Sequence, residues 1–275
     1  MNYAHLQRAQ FLADRGRFKE AAAEYTAQLA VTPENGFVHG LFAMTLARLS
    51  QFESAMLHAN EALGLLPESG WPHFVIASIL FQKKDYSTAS EWVAKAIQVQ
   101  PENSHYYLLL SSIRFFQWRR DDALQAIDAC LRLAPENVQA LNLRSALLRL
   151  KWDHSSADLA AREALALDPE NSLSHVNRGL SFVAKGSYGK AFVEFDEALK
   201  LDPNSPAARW GIANARSQRA ISILLGFLIL VVVFLGFLSY SQAAFGCFQF
   251  TVAVLIVLAI LLLWRHGWLS TASSR

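Results

Sequence analysis

The histidines are the side chains best suited to hold a metal ion, because four of them recur at one position of a 34-residue period. They are His5, His39, His73 and His175. A zinc–nitrogen bond is about 2 Å long, whereas stacked helices lie roughly 8–10 Å apart. Histidines from successive periods would therefore struggle to reach one ion. We interpret the column as a packing or turn contact and keep a metal ladder only as the less favoured alternative.

Two other patterns could belong to a reactive site. The segment Gly186-Ser187-Tyr188-Gly189-Lys190 lacks the full glycine spacing of a phosphate-binding loop and the Ser or Thr after its lysine. The carboxylates Asp121 and Asp122 stand at the expected start of a helix, where acids are favoured by the helix dipole. The patterns His-Glu-X-X-His, Gly-X-Ser-X-Gly and Cys-X-X-Cys are absent from the sequence. We therefore predict that the protein is not an enzyme and that it needs no cofactor.

The distribution of charge divides the chain into two parts. The first 220 residues carry 23 basic and 23 acidic side chains, so this part is neutral and shows no electrostatic footprint for nucleic acid. The 45 residues between Arg219 and Arg265 carry no charged side chain. The two cysteines, Cys130 and Cys247, fall one in each part, which does not indicate a structural disulfide.

A short proline phrase recurs every 34 residues in the neutral part. Proline ends a helix because it lacks the N–H and its ring clashes with the preceding turn. The Asn or Ser that follows two residues later is a preferred helix N-cap. The copies are Pro33-Glu34-Asn35, Pro67-Glu68-Ser69, Pro101-Glu102-Asn103, Pro135-Glu136-Asn137, Pro169-Glu170-Asn171 and Pro203-Asn204-Ser205. A fixed period of this length predicts a solenoid.

Small residues and a central break recur within each unit. Apolar residues follow helical spacing, and a polar or glycine-containing stretch interrupts each unit once, which predicts an antiparallel helix pair. One small residue lies twelve positions before each proline: Ala21, Ala55, Ala89, Ala123, Ala157 and Ala191. A second lies five positions before it, with Gln28 in the first unit as the exception: Ala62, Ala96, Cys130, Ala164 and Ala198.

These columns resemble the tetratricopeptide repeat family. The resemblance covers six repeats, over residues 2–35, 36–69, 70–103, 104–137, 138–171 and 172–205. It implies an all-α fold, a right-handed superhelix of helix pairs whose first helices line a concave groove. It also implies a role in binding other proteins through that groove.

The groove positions that the resemblance implies are mostly aromatic in units two to four. We predict that they bind an apolar helix or an extended segment of a protein partner. The alternative is that the rings pack between neighbouring helices of the solenoid. The candidate residues are Phe37, Met44, Trp71, Phe74, Phe81, His105, Phe115, Phe116, Asn142 and Arg149.

The C-terminal part predicts a membrane anchor. We expect a capping and connecting helix over 206–219 and two transmembrane helices within 220–264, at about 221–240 and 247–264. A hydrocarbon core of about 30 Å needs about 20 residues of helix, so one unbroken helix over the whole apolar stretch would be too long. A buried hairpin in a soluble protein is the less favoured alternative. Residues 265–275 form a short tail.

Basic and aromatic residues indicate how this hairpin would sit in the bilayer. Basic residues flank both ends of the hairpin and its loop carries none, so both ends and the repeats are expected in the cytoplasm. We favour a bacterial inner membrane over an organelle surface. The expected interface residues are Arg209, Arg216, Arg219, Tyr240, Trp264, Arg265 and Trp268.

Together these features predict a membrane-anchored adaptor with a protein partner and the lipid bilayer as its ligands. A second hypothesis is a structural assembly or transport component whose hairpin packs against other membrane proteins. A third is a regulatory subunit of an enzyme encoded elsewhere.

Overall fold

The computed structural model describes residues 4–238, which form thirteen α-helices and contain no strand. Twelve of the helices form six antiparallel pairs, and the thirteenth continues the stack. The helices are α1 (Ala4–Asp14), α2 (Phe18–Val31), α3 (Gly36–Arg48), α4 (Phe52–Leu65), α5 (Gly70–Gln82), α6 (Tyr86–Val99), α7 (Ser104–Phe116), α8 (Arg120–Leu133), α9 (Val138–Leu150), α10 (His154–Leu167), α11 (Ser172–Ala184), α12 (Tyr188–Leu201) and α13 (Pro206–Leu238). The predicted solenoid of helix pairs is confirmed.

The proline phrases mark the starts of the first helices, as expected. Each capping side chain accepts a hydrogen bond from a backbone N–H of the first turn, for example Asn35 from Val38 and Asn171 from Ser174. A cap of this kind contributes about 1 kcal/mol. The capping residues are Asn35, Ser69, Asn103, Asn137, Asn171 and Ser205.

The small-residue columns lie where the two helices of a pair approach each other. All six alanines from Ala21 to Ala191 are fully buried. In two units a serine bridges the pair, because Ser111 Oγ donates to the Ala123 carbonyl at 2.9 Å and Ser145 Oγ donates to the Ala157 carbonyl at 2.7 Å. The small residues therefore let the paired helices approach closely.

Gln28 replaces the small residue of the first unit without leaving its polar atoms unpaired. Its side chain is fully buried. Its Oε1 accepts from the Leu6 N–H at 3.2 Å, and its Nε2 donates to Thr32 Oγ1 at 3.2 Å. The glutamine thus fixes the start of α1 against the end of α2.

The turn inside each pair contains one residue with a left-handed backbone. These residues also follow the 34-residue period: Gly16, Ser50, Lys84, Trp118, Trp152 and Gly186, with φ between 61° and 72°. Only glycine adopts this conformation without a steric cost. The next position in the series is Ala220, which is helical, so α13 does not turn at this position.

Helix α13 therefore begins as a first helix of the repeat and then extends beyond it. Ala208 and Ala215 are buried in a core cluster with Phe195 of α12 and Val176 of α11, which caps the end of the solenoid. The helix continues without a break to Leu238. The proposed second span at 247–264 lies outside the described residues.

The left-handed turns give a stability prediction. Ser50→Gly should raise the free energy of unfolding by about 0.5–1 kcal/mol, because relief of the left-handed strain exceeds the added entropy of the unfolded chain. Gly186→Ala should lower it by a similar amount, since no atom lies within 4 Å of its expected Cβ and only the backbone responds. Urea unfolding of the full chain in mild detergent measures both, and shifts of the same sign would contradict the explanation.

Candidate partner-binding groove

The first helices of neighbouring units contact one another, which places them along one side of the stack. Helix α3 packs on α5, α5 on α7, α7 on α9 and α9 on α11, in addition to the contacts within each pair. The tetratricopeptide resemblance implies that the side chains on this side form the inner surface of the solenoid. We call the part of this surface on α3, α5 and α7 the aromatic groove.

One end of the aromatic groove carries four rings in continuous contact. Phe37 lies 5.1 Å from Trp71, Trp71 lies 5.8 Å from Phe74, and Phe74 stacks at 5.2 Å on Tyr106, all measured between ring centroids. These rings come from the N-terminal turns of α3, α5 and α7. Phe37 remains 43% exposed at the start of this row.

A second group of rings lies at the other end of the same helices. Phe116 packs against Phe81 at 5.5 Å, Phe115 at 5.3 Å and Tyr86 at 5.3 Å, the last with nearly parallel planes. Phe116 remains 49% exposed, whereas Phe81 and Phe115 are half-buried. The two groups are thus ring clusters with one accessible member each.

Trp71 occupies a site that only a glycine neighbour permits. A Cβ on Gly40 would come closer to the Trp71 indole nitrogen than any van der Waals contact allows. The Trp71 Nε1 atom is buried and has no hydrogen-bond partner among the described residues. The indole is therefore held by contact with α3 rather than by a polar bond.

The remaining candidate residues have different environments. His105 is exposed, and Met44 is half-buried against the core of units one to three. Asn142 is only 4% exposed; its Nδ2 donates to Asn171 Oδ1 at 3.2 Å and its Oδ1 accepts from Asn177 Nδ2 at 3.0 Å. These bonds join units five and six.

Arg149 is a half-buried cation without a carboxylate within ion-pair distance in the part of the chain that is described. Burial lowers the pKa of its guanidinium, and its buried Nε has no hydrogen-bond partner. Arg149 occupies in unit five the position that Phe81 and Phe115 occupy in units three and four. The positive charge of Arg149 is therefore not balanced by a neighbouring carboxylate among the described residues.

Sequence reasoning did not include Tyr86 and Tyr106 among the groove residues. Tyr86 opens a second helix and Tyr106 is buried beneath Phe74. A signal was present for Tyr86, because Phe18, Phe52 and Tyr188 occupy the same position of other units. The omission arose because that column belongs to the second helices.

The histidine column makes contacts within each unit rather than between units. His5 and His175 bond Glu24 and Glu194 at 2.7 and 2.9 Å, and His73 stacks on Trp92 at 5.6 Å. Within residues 4–238 no group of three or more His, Cys, Asp or Glu side chains is placed to hold a metal ion. These are the packing contacts that the sequence favoured.

His39 pairs with a second histidine, His58. His39 Nε2 donates to the Pro33 carbonyl at 2.9 Å, so its Nδ1 accepts from the Nδ1–H of His58 at 3.0 Å in the neutral pair. Desolvation and, secondarily, the positive charge of His39 lower the pKa of His58. Protonation of both rings would bring two positive charges together.

Three of the basic residues expected at the membrane, Arg209, Arg216 and Arg219, lie on α13. Arg209 donates to the Pro203 carbonyl at 2.7 Å. Arg216 and Arg219 border an open cavity of about 450 Å³ between α12 and α13, together with Phe192, Asp196, Ile212, Ala220 and Ile223. Tyr240, Trp264, Arg265 and Trp268 lie outside the described residues.

One described helix, α13, is long and apolar enough to cross a membrane by its length and composition. Several of its large apolar side chains beyond the cap are exposed, including Ile223, Phe227, Leu230 and Phe234. Residues 4–238 thus contain one candidate span.

Comparison with known proteins supports the repeat assignment. The TPR repeat model matches residues 179–218, and the tetratricopeptide repeat model matches residues 73–103. The chain therefore contains TPR repeats. A search of curated proteins found no match.

Solved structures share the fold at low sequence identity. A chain of the APC/C hetero-tetramer Cut9-Hcn1 superposes with TM-score 0.68 and 16% identity, and the match covers 77% of this chain but 42% of that one. Yeast Tom70 gives 0.64 and 17%, with 78% and 46% covered. PilF of Pseudomonas aeruginosa gives 0.61 and 17%, with 76% and 96% covered. These likenesses establish an all-helical TPR-like solenoid.

The histidine pair predicts a pH-dependent stability. Because the pKa of His58 is lowered in the folded state, the unfolded chain binds the proton first as the pH falls below about 6.5. The free energy of unfolding should therefore decrease from pH 7.5 to 5.5, and His58→Gln should reduce that slope. Urea titrations at several pH values measure it, with the exposed His105→Gln as the control. An unchanged slope in His58→Gln would exclude this origin.

Proposed function

We propose that the protein is a membrane-tethered scaffold that binds an apolar helix or extended segment of a protein partner in the aromatic groove. Proteins with TPR repeats generally act as non-enzymatic interaction scaffolds, and the chain contains such repeats. The observation that carries the proposal is the double ring cluster of α3, α5 and α7, with Phe37 and Phe116 left exposed. Exposed aromatic surface on a rigid helical wall is typical of protein-binding sites.

The spacing of the ring clusters favours an elongated ligand. Trp71 and Phe81 lie ten residues apart on α5, which corresponds to roughly 15 Å along the helix. Ser78 lies between them on the same face, and its hydroxyl donates to the Phe74 carbonyl, so it presents little to a ligand. A partner with two apolar anchors separated by two or three helical turns would engage both clusters.

Arg149 adds a position at which the ligand could place one acidic group. It lies in the unit after Phe115, at the same position along the first helix. A hydrogen bond to a charged group contributes about 1.5–3 kcal/mol when the site is partly dehydrated. We therefore propose that the bound segment carries a carboxylate beyond its second apolar anchor. One structural neighbour, YrrB, is described as a TPR protein with an unusual peptide-binding site.

Helix α13 supports the membrane part of the proposal. One face of its first turns, with Ala208 and Ala215, is buried against α11 and α12, and its later turns carry exposed apolar side chains. We propose that it forms the first of two spans, with the repeats and the C-terminus in the cytoplasm, in a bacterial inner membrane. Because no break separates the cap from the apolar part, the groove would be held at a fixed angle to the bilayer.

The groove can be tested with charge substitutions at its exposed rings. Phe37→Glu and Phe116→Glu together should weaken binding of a peptide selected from a random library on the full chain by at least tenfold, because burying an unpaired carboxylate against aromatic rings is costly. Leu57→Glu is the matched control, since Leu57 is an exposed apolar residue of the second helix α4. Fluorescence anisotropy in nanodiscs gives the dissociation constants. If selected peptides bind the groove variant as tightly as the control, the groove is not the binding site.

Membrane insertion can be tested by comparing the full chain with residues 1–219. The shortened chain keeps the buried residues Ala208 and Ala215, so its solenoid remains capped. We expect the full chain to stay with the membrane pellet after alkaline carbonate extraction and 1–219 to be released. Release of the full chain would exclude the anchor.

A further inference from the structure

The six turns inside the helix pairs all lie on one edge of the solenoid, which we call the turn edge. It comprises the residues around the six left-handed positions. Because α12 is antiparallel to both α11 and α13, the first helices and α13 run in the same direction. Tyr188, at the start of α12, donates to or accepts from Ser222 Oγ of α13 at 2.9 Å. Helix α13 therefore passes the turn edge at Ser222.

The exposed apolar part of α13 begins at this same level. From Ser222 to Leu238 the helix rises roughly 24 Å beyond the turn edge. Arg219, in the turn before Ser222, borders the cavity that α13 forms with α12. If the apolar part lies in lipid, the headgroup layer lies at the height of the turn edge.

Two tryptophans project from the turn edge. Trp118 is 78% exposed and Trp152 is 79% exposed, in adjacent units and at equivalent positions. Both have left-handed backbones, with φ of 62° and 64°, at positions where glycine stands in the first and sixth units. Each has only a ring or cation contact with a local neighbour, Arg120 or His154. Neither their packing nor their backbone accounts for a tryptophan there.

The two edges of the solenoid differ in charge. The five residues centred on each left-handed position include nine basic and three acidic side chains over the six turns. The five residues centred on position 34 and its five repeats, at the opposite edge, include seven acidic and no basic side chains. In units four to six most of the basic groups are paired, since Arg119 bonds Asp122, Lys151 bonds Asp121 and Lys185 bonds Asp158. Arg120 has no ion-pair partner among the described residues, and the same holds for Lys83 and Lys84 of the adjoining unit three.

We propose that the turn edge of units four to six lies against the bilayer surface, with the Trp118 and Trp152 rings in the headgroup layer. Tryptophan is enriched at this depth because its ring is amphipathic, and basic residues favour an anionic surface. The acidic edge then faces away from the lipid. The inference rests on the proposed membrane anchoring and adds a second contact, about two to three units away from α13.

Quenching of tryptophan fluorescence by brominated lipid tests this contact in the full chain. The chain carries Trp264→Phe and Trp268→Phe and is placed in nanodiscs of phosphatidylcholine and phosphatidylglycerol with bromine on the shallow acyl carbons. We expect Trp118→Phe with Trp152→Phe to remove at least half of the bromine-dependent quenching. The matched control is Trp92→Phe with Trp210→Phe, which removes one half-buried and one exposed indole away from the turn edge and should leave the quenching in place.

The outcomes separate the two proposals. Equal quenching in the two double variants, with the chain incorporated in nanodiscs, would overturn the contact of the turn edge and leave the anchor intact; the exposed tryptophans would then serve a protein partner instead. Failure of the full chain to enter nanodiscs would overturn the anchor and this inference with it. If Trp118→Phe with Trp152→Phe no longer reduces the bromine-dependent quenching in nanodiscs of phosphatidylcholine alone, the basic groups contribute to the contact.

Discussion

The close approach of paired helices is the constraint on which the rest of the structure depends. A single pair cannot bury its apolar face alone, so each unit needs its neighbours. The alanines at the Ala21 and Ala55 positions and their equivalents are fully buried, which lets larger side chains such as Tyr25 and Phe195 fill the layer beside them. A rigid stack results, and only a rigid stack can hold the rings of α3, α5 and α7 in contact across three units.

Much of the fold could be predicted because it repeats. Six proline phrases with a capping Asn or Ser give the helix boundaries, and the caps are present. The site was less predictable, because a period indicates which column a residue occupies but not how deeply it lies. Asn142 and Phe37 are both groove candidates by column, yet one is enclosed by Asn171 and Asn177 and the other is open to solvent.

The turns show a second limit of reading a sequence by its pattern. Gly16 and Gly186 are residues from which a left-handed backbone can be predicted. Trp118 and Trp152 adopt the same conformation although it is sterically unfavourable for a residue with a Cβ. Tertiary packing of the two helices imposes the turn geometry, so any residue at that position must follow it. Ala220, the next position of the series, does not share this geometry, because its backbone is helical within α13.

The last two units are also joined by buried charge. Arg178 on α11 contacts Glu194 at 3.0 Å and Asp158 at 3.6 Å, while Lys185 reaches Asp158 at 3.3 Å. These contacts clamp α10, α11 and α12 together directly beside the cap formed by α13. Because α13 has no break between the cap and Leu238, it acts as a lever arm: a force applied to the middle units would be transmitted along it as torque.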